Sequence, residues 1–487
     1  MSSGSHVAAL LLEVLPESGL RLHDQLRRQL VEAVEQGRLL PGERLPPSRQ
    51  LARDLGVARG TVVDVYDQLV HDGYLTAHVG SGTRVAALTS HVAADRAPAA
   101  PPPMYDLRPG GPDLSAFPRT AWAMATAHVL RTLPDAELGY VEPWGTAALR
   151  GQLARYLART RHVDTDPDGV VVTSGVTQAL TLTCRVLHQQ GHRLLAVEDP
   201  SNAIQRDVVG RYGLSIVNVP VDAHGLDVAA LARSGVRAVL VTPAHQYPTG
   251  AVLAPERRDA LLAWAGEHDG VVIEDDYDAE FPRPRGSTRS LQAADPDRVL
   301  HTSSISKTLA PGVRLGWLVV PVGLRTAVLE AKRDDDFGTG VVAQHVLAHL
   351  IETGAYDRHL RRQRVAYAMR RTALVETLAQ SLPDWRVRGA AAGLHLWLEP
   401  PGRFDEDAVV AAALQRDVLL LGMSAMRRHT DHAGLVLGFA RLRPKHAPEV
   451  AARLADAVAA AATGGAPPLR PPGASSPTGT TGVDFFP

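Results

Sequence analysis

Near the start of the chain, apolar residues recur at the spacing of one helical face. The pattern runs from residue 21 to residue 36, and Gly37 ends it. This spacing predicts an amphipathic helix that buries one side against a small core. The apolar positions on that side are Leu22, Leu26, Leu30, Val31 and Val34.

Two shorter helices are predicted after a turn rich in Pro and Gly. Ser48 is expected to cap the first, Arg49 to Leu55, because a serine hydroxyl can accept a backbone hydrogen bond there. The second runs from about Arg59 to Asp72, and two short strands, 74–78 and 84–85, follow it. Short helices joined by a tight turn indicate a helix-turn-helix, and the strands indicate a hairpin wing.

The rest of the chain alternates helical patterns with short apolar runs. Such runs lie at 169–173, 194–198, 236–242 and 270–274, and each ends in polar or turn residues. Continuous Val, Ile and Leu runs between helices predict a buried, mainly parallel sheet, so the fold class is α/β. Ligands of such sheets bind beyond the carboxyl ends of the strands.

Composition separates stretches that can fold from stretches that cannot. Pro and Ala dominate residues 88–104, and Pro, Gly, Ser and Thr dominate 463–487, which predicts a linker and a disordered tail. We therefore expect a flexible start at 1–19, a winged helix-turn-helix head at 20–87 and a body at 105–462. The end of the body is expected to form a small α+β lobe.

Charge and cysteine content limit the classes of protein that fit. Residues 21–85 hold nine Arg and no Lys against eight Asp+Glu, so net charge alone does not indicate a nucleic-acid partner. The single cysteine, Cys184, excludes an internal disulfide and fits a reducing compartment. No stretch approaches the roughly 20 apolar residues of a membrane span. A cytoplasmic protein without a membrane partner is expected.

Four polar motifs follow the apolar runs of the body, at 173–178, 242–250, 273–281 and 303–317. The first is a small-residue turn at a helix start, whose N–H groups suit an anion, although an ordinary strand-to-helix turn also fits. The second is a polar loop after a strand, which either marks a ligand site or merely turns the chain.

The third and fourth motifs carry the ionisable groups. The third places carboxylates at the end of a buried strand, where they need a partner such as a pyridinium nitrogen, a helix cap or an internal ion pair. In the fourth, Lys307 lies among small hydroxyl residues, which suits an imine with an aldehyde, and Arg314 suits a phosphate. Lysine is rare in this chain, which disfavours an ordinary surface lysine.

The head resembles the winged-helix DNA-binding domain of the GntR regulators. The similarity runs from Leu39 to Val85, through LLPGERLPPSRQLARDLGVARGTVVDVYDQLVHDGYLTAHVGSGTRV. It implies that the starts of the second and third helices and the wing contact double-stranded promoter DNA. Ala58 stands where the family often has Ser or Thr, so one phosphate contact is expected to be missing. The residues to which the DNA-binding role carries over are Ser48, Arg49, Arg59, Thr61 and Gly80.

The body resembles fold-type I aminotransferases. Three of its segments, placed after such a head, resemble specifically the MocR regulators. These segments read HQYPTG, EDDYDAEF and SISKTLAPGVRLGW. The resemblance implies pyridoxal 5'-phosphate, bound covalently by Lys307, with Asp275 against the pyridine nitrogen and Tyr277 against the ring hydroxyl. Asp276 is the alternative partner of the nitrogen. The residues implied around the phosphate are Gly175, Val176, Thr177, Ser304, Ser306 and Arg314.

Three positions depart from the aminotransferase pattern. Ser201-Asn202 stands where an aromatic residue usually stacks on the ring, and Tyr247 replaces an Asn, a change that the regulators share. The arginine that binds a substrate carboxylate is replaced near Val436. These losses disfavour an efficient general aminotransferase. Three other arginines are candidates to bind such a carboxylate instead: Arg427, Arg428 and Arg441.

The expected function is that of a pyridoxal phosphate-dependent, DNA-binding transcription regulator. It would sense the cofactor itself, or a small amine or amino acid, and control vitamin B6 or amine metabolism. The alternatives are an active aminotransferase with an accessory head, and a DNA-binding protein with a vestigial body. A homodimer is expected because winged helices commonly read repeated operators.

Overall fold

The computed structural model describes residues 21–78, 82–87, 104–140, 142–278, 280–281, 289–389 and 392–462. The chain divides into two compact units between Pro101 and Pro102. The predicted flexible start, the tail and nearly all of the predicted linker lie outside the described residues.

The first unit is a three-helix bundle with a hairpin. Strand β1 pairs antiparallel with β2, with Leu75 opposite Val85. The apolar stripe predicted on the first helix supplies Leu26 and Leu30 to a core that also receives Leu51 and Val65 from the other helices. The elements are α1 (Leu22–Glu35), α2 (Ser48–Leu55), α3 (Arg59–His71), β1 (Leu75–His78) and β2 (Gly82–Val85).

The start of α2 differs from the sequence prediction. Pro47 occupies the cap position with an extended backbone (ψ 140°), and Ser48 is the first helical residue, with no side-chain cap hydrogen bond at this end. A side chain caps a helix only from a residue whose own backbone is not yet helical. The prediction that Ser48 caps this helix was therefore wrong by one residue.

The second unit is built on a mixed sheet. Among the described residues it has eight strands in the order β4-β11-β10-β9-β8-β5-β6-β7. The neighbours from β10 to β6 are parallel, whereas β11 is antiparallel to both β10 and β4. The strands are β4 (Val170–Thr173), β5 (Leu194–Asp199), β6 (Ser215–Asp222), β7 (Gly225–Leu226), β8 (Ala238–Val241), β9 (Val271–Asp275), β10 (Val299–Ser304) and β11 (Gly316–Val319).

Helices cover both faces of this sheet, as the unbroken apolar runs predict. Along β4, Val170 and Val172 belong to one buried cluster and Val171 to another, because successive side chains of a strand point to opposite faces. The covering helices are α4 (Arg119–Thr132), α5 (Ala147–Arg161), α6 (Val176–Gln189), α7 (Ala203–Arg211), α8 (Val228–Arg233), α9 (Pro255–Glu267), α10 (Arg325–Asp336) and α11 (Val341–Glu352).

The C-terminal part of this unit forms a smaller α+β lobe. Within the described ranges its sheet has four antiparallel strands in the order β12-β13-β16-β15, and β14 pairs separately with β3. No helix in the described part of the chain is both long and apolar enough to span a bilayer. The elements are β3 (Tyr105–Asp106), α12 (Ala355–Ser381), β12 (Arg386–Arg388), β13 (His395–Glu399), α13 (Glu406–Leu414), β14 (Val418–Leu419), β15 (Leu421–Gly422), β16 (Leu435–Gly438) and α14 (Ala447–Ala462).

Candidate functional site

A cavity of about 170 Å³ opens at the carboxyl ends of the central strands. Asp275 ends β9, and Lys307 lies three residues beyond the end of β10, its parallel neighbour. Chain segments that are far apart in the sequence therefore converge here. The side chains and backbone that line the cavity belong to Pro109, Gly110, Val176, Thr177, Asn202, Ile204, Gln205, Thr242, Tyr247, Asp275, Tyr277, Ser304, Ser306, Lys307, Pro311 and Arg314.

The two adjacent carboxylates that the sequence leaves equivalent have different surroundings. Asp276 forms a buried ion pair with Arg161, whose Nε lies 2.6 Å from Oδ2 and whose second nitrogen lies 3.0 Å from Oδ1. Asp275 lines the cavity instead, and only its Oδ2 accepts a hydrogen bond, from Gln205 Nε2 at 2.5 Å. The buried Oδ1 of Asp275 has no hydrogen-bond partner among the described residues.

Burial shifts the pKa values of Asp275 and Lys307 in opposite directions. Desolvation raises the pKa of Asp275 to about 7, although the hydrogen bond from Gln205 opposes the rise. Desolvation lowers the pKa of Lys307 to about 8, against the attraction of the Asp275 and Asp278 carboxylates. An amine with this pKa is partly neutral near physiological pH, and only the neutral form is nucleophilic.

The start of α6 and the loop after β10 form the end of the cavity whose donors suit an anion. Val176 and Thr177 open the helix, where backbone N–H groups have no partner within the helix. Gly175 precedes them with φ +126°, and an added Cβ there would lie 3.3 Å from a nitrogen of Arg314. Gly175 is not itself a lining residue, but its missing side chain lets the guanidinium approach the helix end. Ser304, Ser306 and Arg314 complete this end.

The segment after β5 supplies a wall without an aromatic ring. Asn202 caps α7 by accepting from the N–H groups of Ile204 and Gln205, and all three residues line the cavity. The aromatic rings that line it within the described residues are those of Tyr247 and Tyr277. Among the lining residues, Ile204 is the apolar side chain nearest in sequence to the position where aminotransferases usually have the stacking ring.

The described residues that line the cavity include none of the three arginines that the sequence offered as substitutes for the carboxylate-binding arginine. Arg441 pairs with Asp106 at 2.8 Å and donates to the backbone oxygen of Arg108. Arg427 lies 3.7 Å from Glu406. The backbone N–H of Arg428 donates to Asp199, and its side chain donates to the backbone of Arg427.

Gln205 is the functional candidate that sequence reasoning missed. It lies 70 positions before Asp275 and belongs to none of the motifs that end the strands. No local pattern could have identified it, because its role depends on how α7 packs beside β9. Thr242 and Tyr247, by contrast, lie inside the polar loop that was already a candidate ligand site.

In the head, the candidate DNA contacts lie at the starts of two helices. Ser48 and Arg49 open α2, and Arg59 and Thr61 lie in the first turn of α3. Both arginines are exposed, while Ser48 and Thr61 are half-buried. Gly80 lies outside the described residues.

Comparison with known proteins identifies a family for each unit. Residues 22–85 match the bacterial regulatory proteins of the gntR family, and residues 112–458 match aminotransferase class I and II. The second match spans most of the chain, and the first covers the described head almost entirely.

Two curated relatives align with this chain over nearly their whole length. The HTH-type pyridoxine biosynthesis transcriptional regulator PdxR of Corynebacterium glutamicum is 32% identical over 93% of this chain and 99% of its own. The probable rhizopine catabolism regulatory protein MocR of Rhizobium meliloti is 30% identical over 93% of this chain and 97% of its own.

Solved aminotransferases match the body. The match to kynurenine aminotransferase from Pyrococcus horikoshii covers 73% of this chain and 90% of the aminotransferase chain, at a TM-score of 0.67 and 26% identity. The match to the α-aminoadipate aminotransferase LysN from Thermus thermophilus covers 74% of this chain and 92% of the LysN chain, at a TM-score of 0.67 and 25% identity. The class I and II family and this fold imply pyridoxal phosphate as the cofactor of the body.

Proposed function

Because this chain belongs to the MocR-type transcription regulators, we propose that its body binds pyridoxal phosphate and reports the occupancy of that site to its DNA-binding head. The chain is thus a DNA-binding regulator with an aminotransferase-like domain.

One observation carries the proposal: Asp275, whose buried Oδ1 has no hydrogen-bond partner in the described part of the chain, lines the same cavity as Lys307, whose pKa is lowered to about 8. An unpaired buried carboxylate is costly unless a ligand completes it. A pyridinium N–H would complete Asp275 Oδ1, and the neutral amine of Lys307 would attack an aldehyde. The donor set therefore fits pyridoxal phosphate.

The remaining residues fit the other parts of the cofactor. Tyr277 would hydrogen-bond the ring oxygen. Asp276 would not hold the pyridine nitrogen, because Arg161 already occupies both of its oxygens. When bound, the cofactor supplies an electrophilic carbon and an electron-withdrawing ring. The phosphate would be held by Val176, Thr177, Ser304, Ser306 and Arg314, with Gly175 giving the guanidinium room.

The cavity favours sensing over turnover. A general aminotransferase must hold the carboxylate of its amino acid substrate, and within the described lining Arg314 is the only guanidinium. We assign that group to the phosphate. An effector without a carboxylate, such as pyridoxal phosphate itself or a small amine, is therefore the better fit. The retained Lys307 and Asp275 remain the argument for the alternative, an active aminotransferase.

The name of one relative suggests what this regulator controls. The Corynebacterium glutamicum protein is named for the regulation of pyridoxine biosynthesis. We propose that this chain likewise controls vitamin B6 supply, acting in the cytoplasm, where its DNA lies, as a homodimer on a repeated site. The DNA would be held by Arg49 and Arg59 on phosphates or guanine edges, with Ser48 and Thr61 at the helix starts.

Absorbance and DNA binding test the two halves of this proposal. Purified full-length protein with added pyridoxal phosphate should gain an absorption band near the edge of the visible range that Lys307→Ala removes. A DNA site selected from random sequence should then be bound with an affinity that the cofactor changes in the wild type and not in Lys307→Ala. No cofactor-dependent band would refute the proposed site.

Steady turnover of an amino donor and a keto acceptor would favour the aminotransferase instead. An unaltered DNA affinity in a protein that shows the band would refute the coupling between the two units. Arg28→Ala is a suitable control for the DNA measurement, since Arg28 is exposed on α1 and lies 3.8 Å from Glu32.

A further inference from the structure

A buried polar cluster lies behind Tyr277, and none of the roles assigned above uses it. His245 and Asp278 are each 2% exposed, and His245 Nδ1 lies 2.7 Å from Asp278 Oδ2. The same nitrogen lies 3.1 Å from the Tyr277 hydroxyl, which belongs to the wall of the cavity. The pair therefore contacts a residue of the cavity wall through the Tyr277 hydroxyl.

Hydrogen-bond chemistry fixes the role of each atom. A carboxylate only accepts, so the hydrogen between the pair belongs to His245 Nδ1. That nitrogen then has no lone pair to offer, and the Tyr277 hydroxyl cannot donate to it. Burial and the charge of Asp278 raise the pKa of Tyr277 well above its ordinary value, so the hydroxyl keeps its hydrogen.

The cluster is closely packed. Gly393 lies against it with φ +69°, and an added Cβ would overlap both His245 and Asp278. The His395 ring packs against that of His245 in a tilted arrangement with centroids 5.0 Å apart, and burial together with His245 lowers the pKa of His395 to about 3. His395 therefore stays neutral and adds no competing charge.

We propose that His245 and Asp278 form a positioning pair that holds the Tyr277 hydroxyl and so sets the hydrogen bond between Tyr277 and the ring oxygen of pyridoxal phosphate. This inference rests on the proposed function. Nδ1–H donates to Asp278 and shares its hydrogen with the tyrosine oxygen 3.1 Å away, while the tyrosine hydroxyl hydrogen-bonds Asp278, so both residues fix the position of the hydroxyl. The electron density on the ring oxygen, and with it the spectrum of the bound cofactor, then depends on two residues that do not touch it.

Asp278→Asn should loosen the arrangement. A neutral amide oxygen is a weaker acceptor than a carboxylate for His245 Nδ1–H and for the Tyr277 hydroxyl, so both donors would be held less firmly. The Tyr277 hydroxyl would then be less well placed for the ring oxygen of the cofactor. We expect the dissociation constant for pyridoxal phosphate to rise about three- to tenfold, and the pH midpoint of the bound absorption band to shift.

A double-mutant cycle with Tyr277→Phe separates positioning from a general structural effect. If the pair acts through the hydroxyl, Asp278→Asn should change the dissociation constant by less than about twofold in the Tyr277→Phe background. His245→Gln, which can keep an N–H near Asp278, should retain more affinity than His245→Leu, and it replaces Asp278→Asn if that variant does not fold. Other titratable groups face the pair, and their protonation must be considered when the pH profile is interpreted. They are Tyr277, Tyr247, His395, Lys307 and Asp275.

The outcomes distinguish this proposal from the one it rests on. An equal loss in both backgrounds, or no loss and no shifted midpoint in the single variants, overturns the positioning role while the Lys307-dependent band survives. Absence of that band in the wild-type protein overturns both proposals.

Discussion

The head and the body of this protein place their functional groups in opposite environments. Arg49 and Arg59 are exposed at helix starts, where bulk water surrounds them. Asp275 is 2% exposed, and burial raises its pKa to about 7. Charges in water attract phosphates through a screened field, whereas buried charges respond to single neighbouring atoms. The head should therefore be sensitive to salt and the body to pH.

The largest expected effect tests the buried half of this comparison. Asp275→Asn removes the carboxylate that would meet the pyridinium N–H, and we expect the affinity for pyridoxal phosphate to fall by about 100-fold or more, as when one partner of a buried pair is lost. Titration followed by absorbance measures it. Asp168→Asn, which alters an exposed carboxylate, should bind normally. An undiminished affinity would mean that the nitrogen has another partner.

Asp276→Asn should have a large effect of a different kind. It removes the negative charge that Arg161 Nε meets at 2.6 Å inside the protein, so the free energy of unfolding should fall by about 3 kcal/mol. Cofactor affinity, measured on the folded protein, should change little. Denaturant unfolding gives the first quantity. If this variant instead lost the cofactor and kept its stability, the assignments of the two neighbouring carboxylates would have to be exchanged.

The pH dependence of cofactor binding should follow Lys307. Because its pKa is lowered to about 8, the fraction of neutral amine, and with it the rate of covalent binding, should rise about tenfold per pH unit up to pH 8 and then level off. Stopped-flow absorbance measures this rate. A small alkylamine, with an ordinary pKa near 10.4, should still be rising above pH 8. A rate that continues to rise in the protein would show that burial does not lower the pKa of Lys307.

The smallest effect is expected in the head. Arg49→Ala or Arg59→Ala should weaken DNA binding about three- to tenfold and reduce the slope of log affinity against log salt by about one if the residue contacts phosphate. Fluorescence anisotropy at several salt concentrations measures both. A loss of affinity without a change in slope would indicate a base contact rather than a phosphate contact.

Local sequence patterns determined much of this protein. Helical spacing identified the first helix, apolar runs identified β4, β5, β8 and β9, and the motifs around Asp275 and Lys307 indicated the family and a candidate cofactor site. These features depend on residues a few positions apart, where backbone geometry alone relates sequence to structure.

Only the tertiary structure decided which atoms meet. Asp275 and Asp276 are equivalent in sequence, and Arg161, 115 positions away, distinguishes them. Gln205 beside Asp275 and the His245–Asp278 pair behind Tyr277 arise in the same way, from segments brought together by packing. The protonation of Lys307 also belongs to this level, because a pKa depends on burial and on neighbouring charges that no local pattern contains.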